Sequence, residues 1–317
     1  MKIAILDDYQ NVVKALDCFN LLANHEVTVF TQTYSESELV AKLTDVEAIV
    51  LIRERTVITE SLLRQLPNLK LISQTGKVSN HIDPNLCSKF GVEVLEGRGS
   101  PIAPSELCWV LIMAASRHIP AYTRNLHNNV WQSSDSLGLG RTLKGLKLGI
   151  WGYGNIGQRI AQYAKAFEMS VLVWGSEKSR QLAIEHGFEA AETKQAFFAE
   201  SDIVSLHLRL NDATRFCVTA DDLKRMKPDS LFVNISRAEL VADSALYNEL
   251  LSVPTKRAAV DVFNLEPALP DNEPLLTLPN VTATPHLGYV EKNSYELYFR
   301  LAFENILNFV KDRAEMN

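Results

Sequence analysis

At 317 residues, with 46% hydrophobic and 22% charged side chains, the chain has an ordinary globular composition and length for about two domains. A formal net charge of −6 excludes the basic excess of a nucleic-acid-binding surface. The longest apolar run, residues 108–115, is far short of a membrane span, so neither nucleic acid nor membrane is an expected partner.

Four cysteines, Cys18, Cys87, Cys108 and Cys217, are scattered without C-x-x-C spacing. That predicts buried free thiols in a reducing compartment and no metal site. The first segment reaches the charged Asp7 and Asp8 after four apolar residues, too few for a secretory leader, so a cytoplasmic location is expected.

Through the first hundred residues short apolar runs alternate with helical patterns. Residues 2–6, 27–31, 48–52, 69–73 and 92–95 read as strands. Residues 12–22, a segment capped by Ser35 or Ser37 and running through Leu43, residues 59–66 and residues 83–90 read as helices. Strands rich in Val, Leu and Ile, separated by helices, predict an α/β fold with a parallel, doubly wound, flavodoxin-like sheet. A loop at 97–104 then leads to an apolar helix at 105–117 with Ser105 as its N-cap. Being hydrophobic nearly all round, that helix is expected to lie buried between domains or subunits. Residues 133–145 read as a polar surface loop.

Residues 146–157, LKLGIWGYGNIG, form the centre of the second half. An apolar strand enters a G-x-G-x-x-G turn and a helix follows at 158–167. Gly152 permits the tight turn, Gly154 lets the backbone approach a pyrophosphate, and Gly157 lets the helix pack on the strand. Strand, turn and helix in that order predict a Rossmann dinucleotide site. Further strands read at 171–174, 203–208, 231–235, 258–262 and 281–284, with helices at 179–186, 220–226 and 244–251. The final helix, 294–309, has no strand after it and is expected to cross back to the first domain.

Ligands of open α/β sheets sit outside the carboxyl ends of the strands. Three of these ends carry Ser236-Arg237, then Glu266 within FNLEP, then His286 within TPHLG. A histidine can protonate an oxyanion as hydride arrives, and a carboxylate favours and orients its imidazolium. An arginine can grip a substrate carboxylate through two parallel hydrogen bonds. Singly, each could be a solvated or capping residue; their coincidence beside the glycine turn carries the reading.

These segments resemble the D-isomer-specific 2-hydroxyacid dehydrogenases, over nearly the whole chain. GYGNIG is similar to the family's cofactor loop, VSLHLRL to its segment after the fourth nucleotide-domain strand, and NISRAELVAD to its arginine motif. DVFNLEP and TPHLG are similar to its carboxylate and histidine motifs. The resemblance implies Arg237 as substrate binder, Glu266 as the partner of the histidine and His286 as the acid/base. It implies cofactor contacts from Gly152, Tyr153, Gly154, Asn155, Ile156 and Gly157. Others are implied at His207, Ile235, Ser236 and Gly288, with Asp261 at the nicotinamide end. SQTGKVSNHID resembles the loop whose backbone binds the substrate carboxylate, implying Gly76, Lys77, Val78 and Ser79 as substrate contacts. It departs from the family pattern G-x-G-x-D-N-I-D at Val78 and Asn80, and Lys77 adds a cation. Arg209 stands where proline is usual.

The expected organisation is a substrate domain of residues 1–97 plus 288–317 and a dinucleotide domain of residues 98–287, closing on a cleft. Reduction of a small 2-oxo acid such as glyoxylate or hydroxypyruvate is the expected activity, by a homodimer. A phosphoglycerate-type dehydrogenase and a dinucleotide-sensing corepressor-like protein are the alternatives. After the second nucleotide-domain strand, Gly175 stands where an acid would hold the ribose of NAD, followed by Ser176 and Lys178. That predicts NADP over NAD.

Overall fold

The computed structural model describes residues 1–316. The chain divides into two units, Met1–Ser100 with the C-terminal segment from Val290, and Pro101–Tyr289. Both are α/β with parallel sheets.

The first unit runs β1 (Lys2–Ile5), β2 (Glu26–Val29), α1 (Glu36–Leu43), β3 (Ala48–Leu51), α2 (Glu60–Arg64), β4 (Leu71–Gln74), α3 (Pro84–Lys89) and β5 (Glu93–Glu96). Among the described residues its strands form one sheet in the order β2-β1-β3-β4-β5, with β1 the point where the winding reverses. Every residue of β3 and β4 is buried, as helices on both faces of a parallel sheet require, while edge strand β2 alternates. Side chains start the helices: Ser35 and Glu38 form a capping box, and Thr59 Oγ1 accepts the Leu62 N–H at 3.0 Å. Asp83 Oδ1 accepts the Asn85 N–H at 2.9 Å. Each such cap stabilises by about 1 kcal/mol.

The single helix expected at 12–22 is instead two 3-10 turns, Val13–Ala15 and Asp17–Leu22, broken at an extended Leu16. Separate carboxylates cap them. Asp8 accepts the Val13 N–H at 3.0 Å, and Glu296 of the terminal helix accepts the Asp17 and Cys18 N–H groups at 2.6 and 3.1 Å. That terminal helix, Lys292–Met316, is longer than periodicity suggested and buries Phe299 and Phe303 within the first unit. Its Ala302 carbonyl accepts from Ser73 Oγ at 2.9 Å.

The second unit begins with α4 (Ile102–Ser116) and α5 (Ile119–His127). The sheet elements follow: β6 (Lys147–Trp151), α6 (Asn155–Ala166), β7 (Ser170–Trp174), α7 (Glu177–Glu185), β8 (Glu189–Ala190), α8 (Lys194–Glu200) and β9 (Ile203–Leu206). Then come α9 (Ala220–Arg225), β10 (Leu231–Asn234), α10 (Ala245–Ser252), β11 (Arg257–Val260) and β12 (Val281–Ala283). The sheet order is β12-β11-β10-β9-β6-β7-β8, so the winding reverses between β6 and β9.

One local expectation is corrected here, and several elements are added. Ser105 is not the N-cap of α4; it lies one turn inside, its hydroxyl donating to the Pro101 carbonyl at 2.5 Å. Within its own unit α4 is covered on one side. It packs on α6 and on β10 to β12, but leaves Val110 59% exposed. Helix α5 is an addition, and Pro120 fits helical geometry at its first turn. Strand β8 and helix α8 were also unforeseen, although α8 fully buries Phe197 and Phe198, worth about 1.5–3 kcal/mol each.

Candidate active site

At the end of β6 the chain turns at Gly152 with φ of +100°, and a Cβ there would collide with the His207 carbonyl. A Cβ on Gly157 would collide with the Gly152 carbonyl. Packing therefore demands glycine at both positions. Gly154 differs: a Cβ there would meet nothing within 4 Å, so its openness leaves room for a ligand rather than for protein. Helix α6 starts here with Gly154 as its N-cap and no side-chain cap. Uncapped N–H groups, the positive end of the helix dipole and open space fit the diphosphate of a dinucleotide. Of the loop residues, Asn155 is exposed and Ile156 half-buried. The Tyr153 side chain points into the core, its hydroxyl 3.1 Å from His186 Nδ1, so it offers the site only backbone.

His207 follows β9. Its N–H donates to the Trp151 carbonyl at 2.8 Å, tying it to the glycine turn. Its Nε2 is 2.9 Å from Ser205 Oγ, which is 3.5 Å from Cys108 Sγ. Burial without a charged partner pushes the imidazole down to about 3, so the ring is neutral, and among the described residues its Nδ1 is buried without a hydrogen-bond partner. Burial also pushes the Cys108 thiol up to about 12. Sequence reading missed Ser205; strand alternation, which puts residues two apart on one face, is the signal that pairs it with His207.

On the other side of β6, Gly175 follows β7 with φ of +150°, its Cβ position 3.8 Å from the Gly152 nitrogen. Ser176 caps α7, accepting the Ser179 N–H at 3.2 Å. Lys178 is exposed, and the Arg180 guanidinium lies 5.1 Å from the centroid of Trp174. Arg209 is exposed.

Beyond β9 the strand ends carry the polar residues. Ile235 is buried, and Ser236 Oγ donates to the Leu206 carbonyl at 2.8 Å. Arg237 is half-buried; its carbonyl accepts from Asn234 Nδ2 at 2.8 Å and its guanidinium donates to the Ser236 carbonyl at 2.7 Å. After β11, Glu266 accepts the Phe263 N–H at 3.1 Å on Oε1 and the His286 Nδ1–H at 2.7 Å on Oε2. The ring nitrogen left for a substrate is therefore Nε2.

Asp261 holds the histidine turn. Its Oδ1 accepts from Thr284 Oγ1 at 2.6 Å and from the Leu287 N–H at 2.7 Å, and its Oδ2 from the Gly288 N–H at 2.9 Å. These bonds bracket His286, a non-glycine residue at φ of +52°, a conformation that persists only where its surroundings fix it. Burial raises the Asp261 carboxyl above its usual range, opposed by those hydrogen bonds and by the nearby His286. Thr284 had no role in the sequence reading.

In the first unit, the loop after β4 leaves Gly76 buried, Lys77 exposed, and Val78 and Ser79 half-buried. A Cβ on Gly76 would collide with the Arg53 guanidinium. Lys77 Nζ pairs with Glu96 Oε1, and the Val78 N–H donates to Glu96 Oε2 at 3.0 Å. Sequence reading gave no place to Glu96.

Residues 109–288 match the family model for the D-isomer specific 2-hydroxyacid dehydrogenase, NAD binding domain. The chain is 33% identical to the hydroxypyruvate reductase of Thermotoga maritima over 272 residues, 84% of this chain and 86% of that one. It is 32% identical to the D-3-phosphoglycerate dehydrogenase of Methanocaldococcus jannaschii, covering 92% of this chain but 55% of that longer one. Among solved structures, a phosphoglycerate oxidoreductase from Vibrio cholerae is 64% identical with a TM-score of 0.97, covering 98% of this chain and 99% of that one.

Proposed function

We propose a reaction from one premise: the chain belongs to the D-isomer specific 2-hydroxyacid dehydrogenase family, and is an NAD-dependent oxidoreductase acting on CH–OH donors. In the direction proposed it reduces a small 2-oxo acid, glyoxylate or hydroxypyruvate, to the D-2-hydroxy acid. The nicotinamide, when bound, supplies the hydride. His286 Nε2 gives a proton to the forming alkoxide, while Glu266 fixes the ring and stabilises the imidazolium. Arg237 holds the substrate carboxylate and polarises the neighbouring carbonyl. Gly76, Lys77, Val78 and Ser79 are further substrate contacts in this proposal, although the Val78 N–H donates to Glu96 Oε2 at 3.0 Å.

The observation that carries this reading is the 2.7 Å pair of His286 and Glu266, on the same sheet edge as the glycine turn. From β6 to β12 is four strand spacings, about 19 Å, a span suited to an extended dinucleotide with its nicotinamide toward the histidine. Gly152 to Gly157 bind the diphosphate. Ile235, Ser236, His207 and Gly288 line the nicotinamide half in this proposal, backed by the fully buried Asp261, and Gly175, Ser176 and Lys178 line the adenosine ribose.

NADPH is the preferred donor in this proposal, supported by Gly175 in place of an acid and by the exposed Lys178. A cytoplasmic homodimer is proposed too. Apolar side chains exposed on and after α4 and α5 support pairing: Val110 at 59%, Trp131 at 76% and Leu139 at 90%. The free state of Cys18, Cys87, Cys108 and Cys217 supports a reducing compartment.

The Vibrio cholerae likeness favours a second reading, a phosphorylated 2-hydroxy acid as substrate. Steady-state rates on glyoxylate, hydroxypyruvate, pyruvate and 3-phosphohydroxypyruvate, with NADH and NADPH, test both. No turnover of any 2-oxo acid by folded, cofactor-binding protein contradicts the reductase and leaves a sensor.

A further inference from the structure

Asp261 and Thr284 stand side by side where two strands of the second unit end. The parallel register pairs Val260 of β11 with Ala283 of β12, and these two are the residues that follow. The Thr284 N–H donates to the Val260 carbonyl at 3.0 Å, and its hydroxyl crosses to Asp261 Oδ1 at 2.6 Å. The Thr284 carbonyl in turn accepts the His286 N–H at 3.0 Å. One threonine is therefore bonded both to the buried carboxylate and to the backbone of the histidine.

Among the described residues, the donors to the Asp261 carboxylate are the Thr284 hydroxyl and the Leu287 N–H on Oδ1 and the Gly288 N–H on Oδ2. All come from the turn that carries His286, and only one of them is a side chain. Burial is the largest influence and pushes the Asp261 carboxyl above its usual range. Of the influences that oppose it, the Thr284 hydroxyl comes first, ahead of the Leu287 N–H and the charge of His286. A hydroxyl donating to a carboxylate favours the charged form. The surrounding groups have other partners. On α4 the Cys108 thiol near Asp261, pushed up to about 12 by burial, stays neutral. At the end of β10 the Arg237 guanidinium donates to the Ser236 carbonyl at 2.7 Å. Glu266 holds the His286 Nδ1–H at 2.7 Å, and the Tyr289 ring stands edge-on to the imidazole at 5.6 Å. Asp261 and Glu266 thus act on the histidine by different routes, one through the backbone of the turn and the other on the ring.

We infer that Thr284 is a positioning residue for proton transfer: its hydroxyl keeps Asp261 charged and aimed at the Leu287 and Gly288 N–H groups, which fixes the left-handed turn at His286 and favours the protonated ring. The inference rests on the 2-oxo acid reductase reading above. Thr284 takes no part in proton or hydride transfer itself; it acts through Asp261.

Thr284→Val removes the hydroxyl and keeps the branched side chain, and Thr284→Ser keeps the hydroxyl. The first arm needs no turnover. In the unfolded chain the Asp261 carboxyl titrates near the ordinary 3.8, and in the folded protein it titrates higher. At low pH folded Asp261 is protonated with or without the hydroxyl, and no bond to a charged carboxylate is at stake. Well above that range wild type has such a bond and Thr284→Val does not. Urea titrations are therefore expected to show Thr284→Val losing more stability at about pH 8 than at about pH 4, with Thr284→Ser close to wild type at both. A loss through packing alone is the same at each pH. The second arm is kcat/KM for hydroxypyruvate against pH. Reduction needs a protonated His286, so the alkaline loss of activity is expected about one pH unit lower in Thr284→Val than in wild type, and at the wild-type position in Thr284→Ser. In an Asp261→Asn background Thr284→Val should move it no further. An equal loss of stability at both pH values, an unmoved alkaline limb, or a valine effect that persists with Asp261→Asn overturns the inference. If wild type reduces no 2-oxo acid, the reductase reading fails by itself and the urea arm decides Thr284, an equal loss at both pH values overturning its hold on Asp261.

Discussion

Glu266 divides its two oxygens: Oε1 accepts the Phe263 N–H at 3.1 Å, and Oε2 accepts from His286 Nδ1 at 2.7 Å. The first bond fixes the carboxylate on its own loop, and the second fixes the tautomer and tilt of the ring. Glu266→Gln keeps the shape but loses the charge. A charge-assisted hydrogen bond contributes about 1.5–3 kcal/mol, so kcat is expected to fall about 10- to 100-fold with dinucleotide affinity unchanged. A folded variant with wild-type kcat would show that the pair is not coupled to the chemistry.

Arg237 is anchored through its backbone by Asn234 at 2.8 Å, which places a planar, two-pronged donor at the strand end. Arg237→Lys is therefore expected to be nearly as damaging as Arg237→Ala, because an ammonium cannot make two parallel bonds to a carboxylate. Kinetics of both variants on one 2-oxo acid check this. Recovery of most activity by lysine would reduce the role of Arg237 to its charge.

Half-buried, neutral His207 gives an acid-sensitive contribution to stability. Its imidazole is pushed from the ordinary 6.5 to about 3 in the folded protein. Above 6.5 neither folded nor unfolded chain protonates it. Between 6.5 and 3 the unfolded chain binds a proton that the folded one refuses, so stability falls as pH falls through that window. His207→Gln removes this group, and its stability should decline less than that of wild type between pH 6.5 and 4 in urea titrations. Parallel declines would show that His207 accepts a proton in the folded state.

The strand ends that carry Arg237, Glu266 and His286 were readable because buried parallel strands are unbroken apolar runs, and the polar residues begin where the runs stop. The three turn glycines were readable by spacing, although only the structure separates Gly152 and Gly157, forced by packing, from Gly154, which faces open space. What escaped depends on partners distant in sequence. The break at Leu16 follows from Glu296, some 280 residues on, and Glu96 meets Lys77 only because β5 lies beside β4. Likewise the grip of Asp261 on the histidine turn joins two motifs that sequence could only align one after the other.

The proposed preference for NADPH rests on Gly175. With no carboxylate at that position to repel a 2′-phosphate, and with Lys178 exposed on the first turn of α7, kcat/KM should be higher with NADPH than with NADH. About 1.4 kcal/mol is enough for a tenfold preference. Measurement with one 2-oxo acid decides the matter, and an equal or higher value with NADH contradicts it.

The most direct test of the proton-donor assignment compares wild type with His286→Ala in steady-state reduction of glyoxylate and hydroxypyruvate, with dinucleotide binding measured on the same samples. The imidazole is anchored by Glu266 and bracketed by the hydrogen bonds of Asp261, so its removal should spare the fold and the glycine turn. Turnover is expected to fall by at least about 100-fold while dinucleotide affinity stays within about twofold of wild type. Near-normal turnover in the folded variant would contradict the account, because the proton would then reach the alkoxide from a group other than His286.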